Sequence, residues 1–280
     1  MATRREVLNI LWRAASHCYE DVEARQIAEM ILMAKGNISR NDIIVEPNMA
    51  VEIEDLDSIV EQIQTWTPVQ YIIGCADFID MELEVSDAVL IPRPETEELV
   101  MWVRDEAPSD ARILDLGTGS GCIAIGLARE LKDAKVFAMD ISDSALAVAR
   151  RNGARYASNV EFIKGDALAD FGAIFDEQFD IVVSNPPYIP SRDKALMRSN
   201  VVDYEPHMAL FVPDDDPLLF YRAIARTSLK LLKTRGMLFF EIYESLVDEM
   251  CEMLNHEGYV DVVVRDDFRG KPRMICARVG

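Results

Sequence analysis

Asn185-Pro186-Pro187-Tyr188 places a side-chain amide, two stiff residues and an aromatic ring one residue after the mostly apolar run 179–183. The run has the composition of a buried strand, and the prolines cannot continue it because each lacks the N–H that a sheet requires. The chain therefore leaves the sheet at Asn185 in a fixed, extended shape. The Asn185 oxygen and the Pro186 carbonyl can accept hydrogen bonds from a planar NH2 group, and Tyr188 offers a face for stacking. These residues suit the presentation of an amide or base nitrogen to an electrophile.

A glycine-rich loop, residues 115–121, lies between a strand over 112–116 and a helix over about 120–131. Its closely spaced glycines allow the backbone to turn tightly and to approach a ligand. Asp140 ends the next strand, and in folds of this kind an acid there accepts hydrogen bonds from ribose hydroxyls. The loop and the acid together predict a cofactor that contains adenosine.

The spacing of the glycines bears on which cofactor this is. A dinucleotide fingerprint is G-x-G-x-x-G/A, but here Cys122 occupies the third position and Gly121 comes one place early. Asp115 is also an unfavourable neighbour for a pyrophosphate and a favourable one for an ammonium group. S-adenosylmethionine has adenosine and an ammonium but no phosphate, so we expect it here; NAD(P) and a purely structural turn are the alternatives. Asp166, after the third strand, either bonds the adenine amino group or is a solvated turn residue.

The elements that must position these residues fall into two regions. Residues 1–75 show apolar residues at helical spacing between turn-formers, which predicts a small bundle. Residues 76–95 alternate like a β-hairpin linker and then stiffen at Pro92-Arg93-Pro94. Residues 96–280 alternate between strands and helices, which predicts an α/β, Rossmann-like domain with a mostly parallel sheet.

Seven strands are predicted in this second region. They lie near 112–116, 135–139, 160–163, 179–184, 237–240, 259–265 and 273–279. The last two are joined by a short link, so we expect them to form an antiparallel pair at one edge. The strand that leads to Asn185 is expected beside the strand that contains Asp115, where the strand order reverses and ligands bind.

Composition limits the classes of partner. The 49 acidic residues outnumber the 29 basic ones, and a net charge of -20 argues against binding along nucleic-acid phosphates. The five cysteines form no C-x-x-C pair, so no metal site or disulfide framework is predicted. No apolar run approaches the roughly 18 residues that span a membrane, and no signal peptide is evident. We expect a cytoplasmic protein with no DNA or membrane partner.

Five stretches of the chain are similar to the HemK/PrmC family of protein-(glutamine-N5) methyltransferases, which modify peptide-chain release factors. They are Pro68–Gly74, Leu90–Glu97, Ile113–Gly121, Ser184–Pro190 and Tyr204–Leu210. N-P-P-Y alone is shared with amino-methylating DNA enzymes, whereas its combination with I-P-R-P-E-T is much more specific. The resemblance covers about residues 66–280, and residues 1–65 match only as a helical region.

The resemblance implies methyl transfer from S-adenosylmethionine to the glutamine side chain in the Gly-Gly-Gln tripeptide of class 1 release factors. It also implies that residues 1–75 help to dock the protein substrate. The positions that contact the cofactor in the family match Gly117, Thr118, Gly119, Ser120, Gly121, Asp140, Asp166, Ala167 and Asn185. Those that hold the glutamine match Asn185, Pro186, Pro187 and Tyr188, of which Asn185, Pro186 and Tyr188 are the expected catalytic residues.

Two positions depart from the family pattern. Ala167 stands where relatives often have a large aromatic, which leaves the adenine less covered, and Glu241-Ile242-Tyr243 replaces a commoner Glu-x-Gly. Two other enzymatic functions stay as alternatives. One is a glutamine methyltransferase that acts on a ribosomal protein. The other is a DNA amino-methyltransferase, which would need a basic groove and a pocket for a flipped base.

Overall fold

A computed structural model describes residues 2–156 and 159–280. The helices are α1 (Arg4–Ala15), α2 (Asp21–Gly36), α3 (Arg40–Val45), α4 (Leu56–Gln64), α5 (Val69–Ile73), α6 (Pro94–Glu106), α7 (Cys122–Glu130), α8 (Asp143–Arg155), α9 (Ser199–Val202), α10 (Leu219–Leu231) and α11 (Val247–Glu257). The strands are β1 (Ala2–Thr3), β2 (Ala50–Val51), β3 (Cys75–Phe78), β4 (Met81–Glu84), β5 (Arg112–Leu116), β6 (Lys135–Asp140), β7 (Val160–Lys164), β8 (Phe179–Ser184), β9 (Ile189–Pro190), β10 (Phe211–Val212), β11 (Leu232–Glu241), β12 (Tyr259–Asp266) and β13 (Pro272–Val279).

The chain divides into two compact units. A helical unit comprises the chain up to Cys75 together with Arg198–Tyr204, and a sheet unit comprises Ala76–Met197 with Glu205–Gly280. None of the helices within the described ranges is both long and apolar enough to cross a membrane.

The helical unit is built on amphipathic helices, and the starts of α1 and α3 are capped by side chains. At α1 the Thr3 hydroxyl accepts from the N–H of Glu6, and the Glu6 carboxylate accepts from the N–H of Thr3, so two end N–H groups are satisfied. The apolar faces of the helices then pack around fully buried side chains such as Leu11, Ile31 and Ile63. The later segment joins this unit through Arg198, whose Nη1 lies 3.0 Å from Oε1 of Glu23.

The sheet unit contains a seven-stranded sheet in the order β12-β13-β11-β8-β5-β6-β7. Five neighbouring strands, from β11 to β7, are parallel, while β13 is antiparallel to both β11 and β12. The predicted mostly parallel sheet and its antiparallel edge pair are both confirmed. The prediction that β8 lies beside β5 is also confirmed, because Leu116 is paired with Ser184.

The central strands are buried on both faces, which explains why they are apolar throughout. Successive residues point to opposite faces, so Ile113 and Val183 enter the core on one side of the sheet. Leu114 and Val182 enter the core on the other side. Burying each such side chain contributes about 1.5–3 kcal/mol, so this double core fixes the strand ends that carry the site.

The structure differs from the sequence prediction at two elements next to the site. The hairpin strands end at Glu84, and no further strand is found over 85–91. Helix α6 begins at Pro94, where the prediction had only a stiffened linker. Proline is favoured at the first helical position because no N–H is needed there, and the acids Glu95 and Glu97 suit the positive end of the helix dipole.

Candidate active site

A cavity of about 260 Å³ lies at the carboxyl ends of β5, β6 and β8 in the sheet unit. This is far above the 10–15 Å³ or so that holds one water, so the cavity accepts an organic ligand. Its lining comprises residues 88–90, Leu116, Gly117, Gly119, residues 139–142, Ala145, residues 165–168, residues 184–187, Pro206, Met208, Ala209, Phe220 and Ile224. The described residues in this lining include two carboxylates, Asp140 and Asp166, and no Lys, Arg or His.

The glycine loop is held in a left-handed conformation beside this cavity. Gly119 has a φ of +55°, and a Cβ added there would meet no atom within 4 Å, so the loop leaves room for a ligand against its backbone. Gly121 has a φ of +85°, and its Cβ would lie 2.9 Å from Ile125 Cδ1, so this glycine serves the packing of α7. Asp140 fixes the loop by accepting from the N–H of Gly119 at 2.9 Å and from that of Ser142 at 2.9 Å.

Asp115 lies beneath the loop and is fully buried. Its Oδ2 accepts from the Thr118 hydroxyl at 2.6 Å, and its Oδ1 has no hydrogen-bond partner of normal geometry in the described structure. Burial raises the pKa of Asp115 to about 7; the hydroxyl of Thr118 and the N–H of Ala124 favour the ionised form, and nearby Asp140 disfavours it. An acid with one unused oxygen therefore sits directly behind the part of the loop that faces the cavity.

Asn185 lies at the rim of the cavity, one residue beyond the end of β8. Its Nδ2 donates to Oγ1 of Thr96 at 3.3 Å, and the Thr96 hydroxyl donates to Oε2 of Glu241 at 2.6 Å. No hydrogen bond within the described residues engages the Asn185 Oδ1. The amide is therefore held by its nitrogen, and its oxygen is available to a ligand.

Tyr188 is fixed by the same carboxylate. Its hydroxyl donates to Oε1 of Glu241 at 3.1 Å, and its ring stacks on Tyr243 with centroids 5.8 Å apart and planes inclined by 19°. Tyr188 does not line the cavity itself. Burial and the neighbouring Glu241 raise the pKa of Tyr188, so it remains a neutral hydroxyl.

Glu241 is the shared partner of both groups. It ends β11, is 2% exposed, and accepts from one hydroxyl at each oxygen. Burial raises its pKa, while the bonds from Thr96 and Tyr188 and the charge of Arg273 act in the opposite direction. All hydrogen-bonding needs of this buried acid are thus met from inside the protein.

A second buried acid, Glu205, fixes the chain that precedes α6. It accepts from the N–H of Ile91 at 3.2 Å and from Nη2 of Arg93 at 2.5 Å. Two stretches of the sequence, I-P-R-P-E-T and Y-E-P-H, therefore meet through the carboxylate of Glu205. This contact places Thr96 where it can reach Asn185.

The structure brings together most, but not all, of the residues predicted from the sequence. The cavity is lined by Gly117, Gly119, Asp140, Asp166, Ala167, Asn185, Pro186 and Pro187, and not by Thr118, Ser120, Gly121 or Tyr188. Thr118 and Ser120 are loop residues whose side chains are buried. Asp166 accepts from the N–H of Leu168 at 2.8 Å, which leaves both of its predicted roles open.

Sequence reasoning missed several residues that build the site. Phe220 of α10 lines the cavity with Ala167, so an aromatic from another element stands near the position where relatives often carry one. Asn152 is buried and donates to the Ser120 carbonyl at 2.9 Å, tying α8 to the loop. The helix-start signal at Pro94 could have pointed to Thr96, whereas nothing local marked Asn152 or Phe220.

The lining of the cavity suits a ligand that carries adenosine and a positive charge better than it suits a dinucleotide. Asp140 keeps lone pairs that can accept from ribose hydroxyls, and apolar side chains of Ile141, Leu168 and Phe220 suit an adenine ring. Two lining carboxylates without a basic side chain favour a cationic ligand over a pyrophosphate. The space beside Gly119 lets such a ligand approach the backbone.

The seven-stranded sheet, the glycine loop and the Asn185 amide together are typical of a methyltransferase. The family model described as methyltransferase small domain matches residues 96–202. A methyltransferase from Pyrococcus furiosus is 18% identical, with a TM-score of 0.54 over 72% of this chain and 90% of that one. A ribosomal protein L11 methylase from Lactobacillus delbrueckii subsp. bulgaricus is 19% identical, with a TM-score of 0.50 over 70% and 84%. At these identities the likeness shows the fold alone.

Curated relatives identify the family more narrowly. The chain is 46% identical over 262 residues to a release factor glutamine methyltransferase of Bacteroides thetaiotaomicron, covering 92% of this chain and 94% of the relative. The proteins of the same name from Flavobacterium psychrophilum and Geobacter sulfurreducens are 38% and 34% identical, over 94% and 99% of this chain and 94% and 97% of their own. The chain belongs to the release factor glutamine methyltransferase family.

Proposed function

We propose that this enzyme transfers a methyl group from S-adenosylmethionine to the side-chain nitrogen of the glutamine in the Gly-Gly-Gln tripeptide of class 1 release factors. The observation that carries the proposal is the amide of Asn185 at the cofactor cavity, with its nitrogen engaged by Thr96 and its oxygen unused. At the cavity, the Asn185 oxygen can accept a hydrogen bond from the side-chain NH2 of a substrate glutamine. Because release factors work on the ribosome, we place the reaction in the cytoplasm.

The protein's part in the reaction is to hold and orient the substrate nitrogen. The bound cofactor supplies a methyl group on a sulfonium, whose sulfur leaves with the bonding electron pair. The lone pair of an amide nitrogen is delocalised, so hydrogen bonds from its N–H groups to Asn185 Oδ1 and the Pro186 carbonyl favour the charge that develops during attack. One of the two amide protons is released, and the product is a neutral methylated amide. The prolines hold both acceptors in place before the substrate arrives.

The single change Asn185→Ala removes the proposed acceptor. We expect kcat to fall by roughly 10²–10³, comparable to the loss of one preorganised electrostatic partner. Single-turnover methyl transfer to a release factor, with both partners saturating, measures this effect. Calorimetric titration with the cofactor is the control for an intact cavity.

A rate for Asn185→Ala within about threefold of the parent, worth only about 0.7 kcal/mol, would contradict the role given to this amide. Mass spectrometry of the release factor decides the substrate separately. A parent enzyme that adds no methyl group to the Gly-Gly-Gln glutamine would overturn the proposed function.

We also propose that residues 1–75 form a docking domain for the protein substrate. In this acidic chain the helical unit carries a cleft lined by Arg5, Arg25 and Arg40, together with the exposed apolar side chain of Ile44. Arg25 and Arg40 lie 3.3 and 3.2 Å from the carboxylate of Glu29. A mixed basic and apolar cleft supports contact with another protein.

Docking predicts a difference between large and small substrates. Ile44→Glu adds a buried charge at the interface, so KM for an intact release factor should rise about fivefold or more, while KM for a short Gly-Gly-Gln peptide stays the same. Ile10→Glu is the matched control, since helical spacing puts Ile10 on the side of α1 away from Leu8 and Trp12 in the cleft. Equal effects of the two changes, or no effect of Ile44→Glu on the intact factor, would exclude docking through this cleft.

A further inference from the structure

The direction in which an asparagine amide points determines what it can hold. An amide has an acceptor at one end and two donors at the other, and the two ends have nearly the same shape. If Asn185 turned by half a turn, its NH2 would meet the NH2 of the substrate, and neither could accept. The proposed chemistry therefore requires some part of the protein to fix this direction.

The hydrogen bonds around Glu241 supply that constraint. Thr96 has one hydroxyl proton, and it is directed to the Glu241 carboxylate at 2.6 Å. The Thr96 oxygen can then only accept, so its other neighbour, Asn185, must present an N–H, and it does so at 3.3 Å. The order of donors runs in one direction, from the amide through the hydroxyl to the carboxylate.

The Glu241 carboxylate is well suited to be the final acceptor of these hydrogen bonds. Glu241 is 2% exposed and lies at the end of β11, in a backbone ladder with Met274 of β13. Its second oxygen accepts from the Tyr188 hydroxyl at 3.1 Å. A hydroxyl donor on each oxygen suits an ionised carboxylate, which can only accept.

We propose that Glu241, acting through Thr96, is a positioning residue that sets the direction of the Asn185 amide so that its oxygen faces the substrate. This inference rests on the proposed function, in which that oxygen accepts from the glutamine NH2. Through its other oxygen, Glu241 fixes the hydroxyl of Tyr188. One buried acid thereby aligns two members of N-P-P-Y.

The test is a double-mutant cycle between Thr96 and Asn185. Thr96→Val keeps the shape of the side chain but removes the acceptor for the Asn185 amide, so the single-turnover rate should fall about 10–50-fold, less than for loss of the amide itself. Thr96→Ser keeps the hydroxyl and should recover most of the rate. In an Asn185→Ala background, Thr96→Val should change the rate less than twofold, because Thr96 then has no amide to direct.

A purely structural role for Thr96 gives a different result. Thr96→Val would then lower the rate by the same factor in both backgrounds, and that outcome overturns the proposal. So does a Thr96→Val rate within threefold of the parent. If Thr96→Val melts below the assay temperature, Thr96→Ala repeats the cycle with a smaller side chain.

A second measurement needs no substrate and separates this inference from the proposed function. In ¹⁵N-labelled protein, the side-chain amide protons of Asn185, assigned by their absence in Asn185→Ala, should exchange with water several-fold faster in Thr96→Val than in Thr96→Ser. Equal exchange rates in the two variants would overturn the inference even if release factors are methylated. Failure of the parent to methylate them would overturn the proposed function and leave this comparison intact.

Discussion

Two buried carboxylates lie next to residues of the site, and they differ in the hydrogen bonds that their oxygens accept. Asp115, in β5, has one oxygen bonded to Thr118 and the other without a partner of normal geometry in the described structure. Glu241, at the end of β11, has a hydroxyl donor on each oxygen. Both are nearly inaccessible to water, at 0% and 2% exposure, so burial alone does not distinguish them.

The difference indicates two uses of a buried acid. A carboxylate with a hydrogen bond at each oxygen can hold other side chains in one orientation. Glu241 holds two, Thr96 and Tyr188. Burial raises the pKa of both acids, and for Asp115, which has one side-chain hydrogen bond, it does so to about 7. Changing each acid to its amide therefore should have different consequences, one in the reaction rate and the other in pH dependence.

The larger effect is expected at Glu241. Glu241→Gln keeps the shape, but its side chain presents one oxygen and one NH2, so either Thr96 or Tyr188 then faces a donor. One of the two hydroxyls then loses its acceptor and the charge that holds both is removed, so kcat should fall by about 10²-fold, more than for Thr96→Val. Steady-state kinetics with a release factor measures this effect.

Glu249→Gln, which changes an exposed acid of α11, is the matched control and should leave kcat unchanged. Cofactor affinity should stay within about threefold of the parent in both variants, because Glu241 does not line the cavity. A Glu241→Gln enzyme with parental kcat would remove the distinction between the two acids.

The smaller effect is expected at Asp115, in stability rather than rate. Its pKa is raised from 3.8 to about 7, so between these pH values the folded protein keeps a proton that the unfolded chain has lost. Its contribution to the free energy of unfolding is therefore greatest at low pH and declines as pH rises from about 4 to about 7, by at most about 1.4 kcal/mol per pH unit. Asp115→Asn is neutral throughout and lacks this decline.

Urea unfolding of the parent and of Asp115→Asn at several pH values measures the difference, in which the other titrating groups cancel. Without cofactor, the parent should lose about 1–3 kcal/mol relative to the variant between pH 4.5 and 7.5. A difference that does not change with pH would show that folding does not raise the pKa of Asp115, and it would contradict this prediction.

The same contrast explains what the sequence could and could not predict. The glycine loop, Asp140 and Asn185 are found from sequence because each directly follows a strand of apolar residues, and strand ends meet at one edge of a parallel sheet. Glu241 also ends a strand, yet its role depends on Thr96, which is 145 residues away. A local sequence pattern cannot predict a hydrogen bond between residues so far apart in the chain.

Helix α6 was missed for a different reason. The prolines at 92 and 94 predict a stiff linker, although Pro94 followed by Glu95 and Glu97 is also a helix-start signal. Leu99, Val100 and Trp102 are buried in the core of the sheet unit, and this packing stabilises the helix. Without helix α6, the sequence does not predict the position of Thr96 or its hydrogen bond with Asn185.

The long separation between Thr96 and Glu241 also has a consequence for synthesis of the chain. The loop is tied by contacts only 3 and 21 residues apart, Thr118 with Asp115 and Gly119 with Asp140. Nearby contacts close sooner than distant ones, and a nascent chain is made from its N-terminus, so the loop can be completed early. The Asn185 amide gains its direction only after the ribosome has added Glu241. A translation product that stops before this residue contains every partner that ties the glycine loop but lacks the carboxylate that directs the amide.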